Sequence, residues 1–187
     1  MRNLKAEMFN RKASDPRNMP DSVIEALGIE AGHSVADIGA GGGYFTFRFA
    51  EIAGDNGMVY AVDSNPEFLN FIEESARERG LNNISTVLHQ GDVLALPEGG
   101  LNLIFMRNVT HHIEDRIGYL ANLGRFLKED GKVAIIEYKK GGILSFRRLF
   151  GHYIPLETIK SEMEDAGYTL IRKHDFLPEQ HFTIYSK

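Results

Sequence analysis

Cysteine is missing from this chain of 187 residues. That absence excludes disulfides, thiolate nucleophiles and thiolate metal sites. Positive charge is not in excess: the formal net charge is −5. Broad binding to nucleic acid or an anionic membrane is therefore disfavoured, although a local basic patch stays open. No apolar run approaches the length of a membrane span. The opening stretch, MRNLKAEMFNRKA, lacks the apolar centre of a secretory signal. The seven histidines include no pair at H-x3-H spacing, so no metal site is expected. Repeats, low-complexity tracts and linkers are absent as well. A cytoplasmic protein of one domain, with a substantial core, is the expectation.

What the chain does contain is a strand, a glycine turn and a helix in immediate succession. Residues 34–44 read SVADIGAGGGY: an apolar run ends in Asp37, and Gly39, Gly41, Gly42 and Gly43 follow. An amphipathic run over Tyr44–Ala53 then stops at Gly54. This is the first βα unit of a doubly wound sheet, where backbone N–H groups and a helix N-terminus can approach a ligand closely. The dinucleotide pattern G-x-G-x-x-G would need a glycine where Tyr44 stands. The spacing here is D-x-G-x-G-x-G, beginning at Asp37.

That order resembles the cofactor loop of class I S-adenosylmethionine-dependent methyltransferases. The resemblance implies that Asp37 helps to place the methionine end and that Gly39, Ala40, Gly41, Gly43 and Tyr44 border the nucleoside. The second strand, Met58–Asp63, ends in an acid 24 residues after Gly39. Asp63 stands where a ribose-binding carboxylate is expected, with Ser64 beside it. After the third strand, Ile84–His89, come Gly91, Asp92 and Val93. Read alone, Asp92 is an ordinary loop acid; the resemblance makes it the acceptor for the adenine amino group, with Val93 offering its N–H. After the fourth strand, Leu101–Met106, the run Arg107-Asn108-Val109-Thr110-His111-His112 resembles the same position in quinone-biosynthesis and related small-molecule methyltransferases. By that resemblance Arg107 and Asn108 would bind the cofactor where it borders the substrate.

The remaining pattern completes the sheet. Asn65-Pro66 opens a helix that Gly80 ends. Asp21 can cap a helix running to about Leu27. A helix is expected from about Asp115 to Leu127, with Gly131 closing the turn into a fifth strand, Lys132–Tyr138. Pro155 begins a helix that ends before Gly167. The last strands, Tyr168–Asp175 and His181–Ser186, are joined too tightly for a parallel crossover and should form an antiparallel hairpin. The expected architecture is α/β: a single-domain, Rossmann-like, doubly wound sheet of seven strands, mostly parallel. Residues 21–187 would form the methyltransferase domain. Residues 1–20, with Leu4, Met8 and Phe9 on one helical face, would be either a partly ordered tail or a lid over the cofactor.

Methyl transfer from a sulfonium is an in-line displacement with a neutral leaving group, so orientation can supply much of the acceleration. A base is needed only for an acceptor that holds its proton. His111 and His112 are the candidates, because histidine titrates near neutrality; capping or packing roles compete. Tyr138, Phe146, Phe150 and Tyr153 would line an aromatic acceptor pocket or pack a helix onto the sheet. The Arg147-Arg148 pair would meet an anionic acceptor or be solvated. The leading function is methyl transfer from S-adenosylmethionine to a small molecule. The alternatives are an NAD-dependent oxidoreductase and a non-catalytic S-adenosylmethionine-binding protein. No nucleic-acid partner is expected, and oligomeric state is not readable.

Overall fold

Residues 34–38, 58–63 and 101–107 are apolar almost throughout rather than alternating, a pattern that suits strands buried on both faces. The computed structural model, which describes residues 3–90, 94–141 and 153–187, folds them that way. Its strands are β1 (Ser34–Ile38), β2 (Met58–Asp63), β3 (Ile84–Leu88), β4 (Leu101–Arg107), β5 (Leu127–Tyr138), β6 (Thr169–His174) and β7 (Gln180–Ser186). They make one seven-stranded sheet in the order β3-β2-β1-β4-β5-β7-β6. The pairings from β3 to β5 are parallel, while β7 runs antiparallel to both β5 and β6. This is the expected hairpin, with its second strand inserted between β5 and β6. The order reverses between β1 and β4, and the crevice outside such a switch point is where open α/β sheets bind ligands.

The helices are α1 (Leu4–Ala13), α2 (Pro20–Leu27), α3 (Tyr44–Ala53), α4 (Pro66–Arg79), α5 (Arg116–Leu123) and α6 (Leu156–Asp165). On one face of the sheet, Val23 and Leu27 of α2 and Phe45 and Phe49 of α3 pack with Val35, Phe105 and Phe182. On the other, Leu120 and Leu123 of α5 and Ile159 and Met163 of α6 pack with Ile38, Ile104 and Ile135. The α4 caps follow the sequence. The Asn65 side chain accepts the Glu67 N–H at 2.9 Å, Pro66 takes the first turn, and Gly80 turns left-handed at φ 70°.

Three expectations shift. Met19, itself left-handed at φ 46°, caps α2; Asp21 lies inside the first turn and pairs with Arg48. Helix α5 stops at Leu123, and Leu127 already belongs to β5, opposite Leu101. The register shifts between Leu101 and Leu103, and this irregularity takes up the residues read as a turn. Gly131 sits within it because a Cβ there would come within 2.8 Å of the Leu101 carbonyl. In α1 the buried positions are Ala6 and Ala13, while Leu4 is 68% exposed and Met8 and Phe9 are more than a third exposed.

Candidate functional site

The parallel strands β1, β2 and β4 all end on the same side of the sheet, and a cavity of about 1480 Å³ opens there. Around it stand Asp37, Gly39, Ala40, Gly41, Tyr44, Asp63, Ser64, Arg107, Asn108, His111 and His112. Gly43 packs beneath the loop, where a Cβ would collide with Ile72 and Phe47. Gly91, Asp92 and Val93 lie outside the described residues, as do Phe146, Arg147, Arg148 and Phe150. Tyr138 lines the cavity. Tyr153 instead lies under Lys140, whose Nζ is 5.9 Å from its ring.

The turn is shaped by backbone. Gly39, Gly41 and Gly43 have φ of 77°, 56° and 82°, a region that residues with a Cβ rarely adopt. Gly39 and Ala40 both donate to the Val62 carbonyl, at 2.8 and 3.1 Å, which ties the loop to β2. Asp63 adds a second tie: its carboxylate accepts the Gly41 N–H at 2.9 Å and the Asn65 N–H at 2.9 Å. Asp37 is 4% exposed and accepts the Thr46 hydroxyl at 2.6 Å. Burial pushes its carboxyl up to about 6, and the nearby Asp63 charge adds to the rise.

Helix α1 closes over this loop. The Asn10 amide donates to the Gly42 carbonyl at 2.6 Å. A Cβ on Gly42 would overlap the Ala6 carbonyl oxygen and the Asn10 side chain. Gly42 is thus a glycine because a helix lies on it, whereas its neighbours are glycines because the turn bends there. Phe9 meets Phe68 edge-on at 5.5 Å, and Phe9, Asn10, Lys12 and Ala13 join the cavity wall.

The end beyond β4 is built from side chains. Glu137, fully buried on β5, accepts the Thr110 hydroxyl at 2.6 Å and the Tyr138 N–H at 2.8 Å, and its Oε2 lies 3.0 Å from His111 Nδ1. Burial raises its carboxyl, but the hydrogen bonds from His111 and Thr110 outweigh that and hold it below the ordinary glutamate value. The His111 side chain is 5% exposed. The two histidine rings are 4.1 Å apart, yet His112 is exposed. Asn108 is left-handed at φ 54°, held by its N–H to Ile136 at 2.8 Å and by the Gln180 amide, which donates to its side chain at 2.7 Å. Among the described residues, no group of three His, Asp or Glu side chains gathers where a metal ion could be held.

Several lining residues escape a reading by motif: the α1 face, Phe68, His89, Tyr119 and Glu179. Glu137 and Gln180 act just behind the wall. Burial pushes the Tyr119 phenol up, and among the described residues neither its hydroxyl nor His89 Nε2 has a hydrogen-bond partner. Glu137 did carry a signal, since it stands at the carboxyl end of a strand, where ligands gather.

Residues 29–181 match the methyltransferase domain family. The ubiquinone/menaquinone biosynthesis C-methyltransferase UbiE of Shewanella sp. strain W3-18-1 is 28% identical over 131 residues, which are 70% of this chain and 52% of that protein. The chain therefore spans about half the length of the curated relatives it matches. Among solved structures, an S-adenosylmethionine-dependent methyltransferase from Aquifex aeolicus superposes with a TM-score of 0.84 at 24% identity, covering 95% of this chain and 96% of that one. The cyclase SpnF shares the fold at a TM-score of 0.74 and 14% identity, over 90% of this chain and 78% of its own. No described helix is long and apolar enough to cross a membrane. With the family match running from just before β1 to the start of β7, across the glycine loop and the whole β4 end, the chain belongs to the methyltransferase domain family, as a class I S-adenosylmethionine-dependent member.

Proposed function

We propose that this protein transfers a methyl group from S-adenosylmethionine to a small-molecule acceptor in the cytoplasm. The observation that carries the reading is the tie between the glycine loop and Asp63, made by the Gly41 N–H at 2.9 Å. It holds a carboxylate beside a stretch of bare backbone, the combination a ribose and its attached nucleoside require. A Cβ on Gly39 would press on Val109, and one on Gly41 would approach Phe9. Asp37, Gly39, Ala40, Gly41, Tyr44, Asp63, Ser64 and Asn108 would hold the cofactor, supported from below by Gly43. By the resemblance, Gly91, Asp92 and Val93 would meet the adenine. Residues 1–20 would serve as its lid and residues 21–187 as the domain proper.

When bound, the cofactor supplies an electrophilic methyl on a sulfonium that departs neutral. The chain then has two tasks. It must hold the acceptor in line and keep water away, which the α1 face and the apolar wall of Tyr44 and Phe45 do. It must also take a proton when the acceptor carries one. His111 suits that task because its ring lines the cavity and is oriented through Nδ1 by Glu137. The likeness to quinone-biosynthesis methyltransferases supports a small acceptor. The net charge of −5 supports the absence of a nucleic-acid partner.

Thermal shift with S-adenosylhomocysteine, NAD and NADP tests the cofactor. Stabilisation by S-adenosylhomocysteine alone is the expected result, and stabilisation by NAD would return the chain to the oxidoreductase reading. Incubating a metabolite extract with methyl-labelled S-adenosylmethionine should move label into a small molecule. Cofactor binding without label transfer would leave a non-catalytic binder.

A further inference from the structure

Arg107 is a cation whose bonding to the described residues is incomplete. It ends β4, at the carboxyl edge of the sheet, and lines the cavity. Its guanidinium carries five N–H donors in a planar fork. Among the described residues only one is used: Nη2 reaches Gln180 Oε1 at 3.5 Å, the long limit of a hydrogen bond. One flank lies 5.5 Å from the centre of the Phe45 ring, a cation–π contact that fixes the plane without consuming a donor.

Acids are close, yet they are occupied elsewhere. Asp37 and Glu137 both act on Arg107 through space, and burial pulls its guanidinium below the ordinary arginine value. Asp37 takes the Thr46 hydroxyl. Glu137 takes Thr110, His111 and the Tyr138 N–H. Among the described residues Arg107 forms no ion pair. A largely desolvated guanidinium with idle donors is costly unless a ligand completes it. The planar fork matches a carboxylate, which it can take with two parallel bonds.

We infer that Arg107 receives a carboxylate borne by the methyl acceptor, so that the substrate class is small molecules joining an anionic group to an apolar body. The position favours the acceptor as the source. The glycine loop and Asp63 follow β1 and β2, whereas Arg107 is braced by Gln180 of β7, on the opposite side of β4. Two acids, Asp37 and Asp63, stand at the cofactor end, where a second anion would be repelled. The apolar body would rest on Tyr44 and Phe45. This assignment rests on the methyltransferase reading and makes the acceptor a charged molecule rather than a neutral quinol.

The test measures benzoate and phenylacetate, with benzamide and phenylacetamide as neutral controls, by titration into the protein saturated with S-adenosylhomocysteine. S-adenosylhomocysteine binding to the wild type checks the underlying reading by itself. The expected result is at least a tenfold preference for each carboxylate over its amide, as a charge-assisted bond supplies. Arg107→Gln should abolish that preference while S-adenosylhomocysteine affinity stays within about twofold, and Arg107→Lys should keep part of it. Equal binding of acid and amide by the wild type, or no binding of either, would overturn the inference without recourse to any variant. A tenfold loss of S-adenosylhomocysteine affinity in folded Arg107→Gln, judged by its near-ultraviolet circular dichroism, would overturn it too. The donors would then serve the methionine carboxylate of the cofactor.

Discussion

The two ends of the cavity are made of different material. On the β1–β2 side the wall is backbone: three left-handed glycines, carbonyl ties to Val62, and one carboxylate fastened to two N–H groups. On the β4–β5–β7 side it is charged and polar side chains drawn from distant parts of the chain. Glu137 meets His111, and Gln180 joins Asn108 to Arg107. A backbone site recognises a ligand that never changes, because its geometry is fixed by the turn itself. A side-chain site can be rewritten one residue at a time, and reaction specificity is adjusted there.

The sharpest way to separate the two ends is to cut one residue from each. His111→Ala should lower turnover on the identified acceptor by ~10²–10⁴-fold, with S-adenosylhomocysteine affinity unchanged. His112→Ala, which removes an exposed ring, should leave turnover within about twofold of wild type. Steady-state kinetics on both variants decide between them, and full activity in His111→Ala removes the base. Asp63→Ala should act in the opposite sense and weaken S-adenosylhomocysteine by roughly tenfold to a hundredfold, since a charge-assisted bond contributes about 1.5–3 kcal/mol. Because Asp63 also holds Gly41, the glycine loop should loosen with it. Calorimetry would show the first effect, and hydrogen exchange at residues 39–43 the second.

Asp37 sharpens the contrast through pH. Burial pushes its native carboxyl up to about 6, against an ordinary value of 3.8. Between those limits the native state holds the proton more tightly than the unfolded chain. Stability should therefore fall as pH rises through that window, by about 3 kcal/mol in total from this group. Asp37→Asn should flatten that slope and raise stability at pH 7.5 by about 1–3 kcal/mol, several degrees in Tm, while weakening the cofactor. Denaturant titrations from pH 4 to 7.5 measure it; an identical slope in the variant would acquit Asp37. The smallest effect is expected at α1. Gly42→Ala should lift α1 from the loop, reduce exchange protection over residues 4–13, and cost about tenfold in cofactor affinity, the scale of one buried contact pair. Unaltered protection would mean that α1 can rest on a methyl group.

The same division decides how much could be read from sequence. The boundaries of β1, α3 and β2 follow from local pattern, because an apolar run, a glycine turn and a helix stop are all written within a few residues. The reversed hairpin was legible from the short connector before Gln180. The reason for Gly42 was not legible: α1 comes from residues 32 positions earlier, and only the folded chain brings Asn10 over it. Glu137 and Gln180 were missed for the same reason, since their partners lie 26 and 72 residues away along the chain. Helix α5 was read too long because Leu127 continues its apolar spacing. Pairing with Leu101 overrode that local signal.

The insertion of β7 between β5 and β6 sets an order of assembly. β6 reaches the sheet only through β7, so the hairpin of residues 169–186 can form locally and then dock against β5 as a unit. Gln180, the first residue of β7, arrives with that docking step. Until it does, Asn108 lacks its side-chain brace and Arg107 lacks its hydrogen bond to Gln180, while the glycine loop and Asp63 are already tied together by β1 and β2. A chain whose hairpin has opened would therefore keep the glycine-loop end of the cavity while the β4 end, Asn108 included, lost its brace. Fraying at this edge would disturb the β4 end of the cavity before it disturbed the glycine loop.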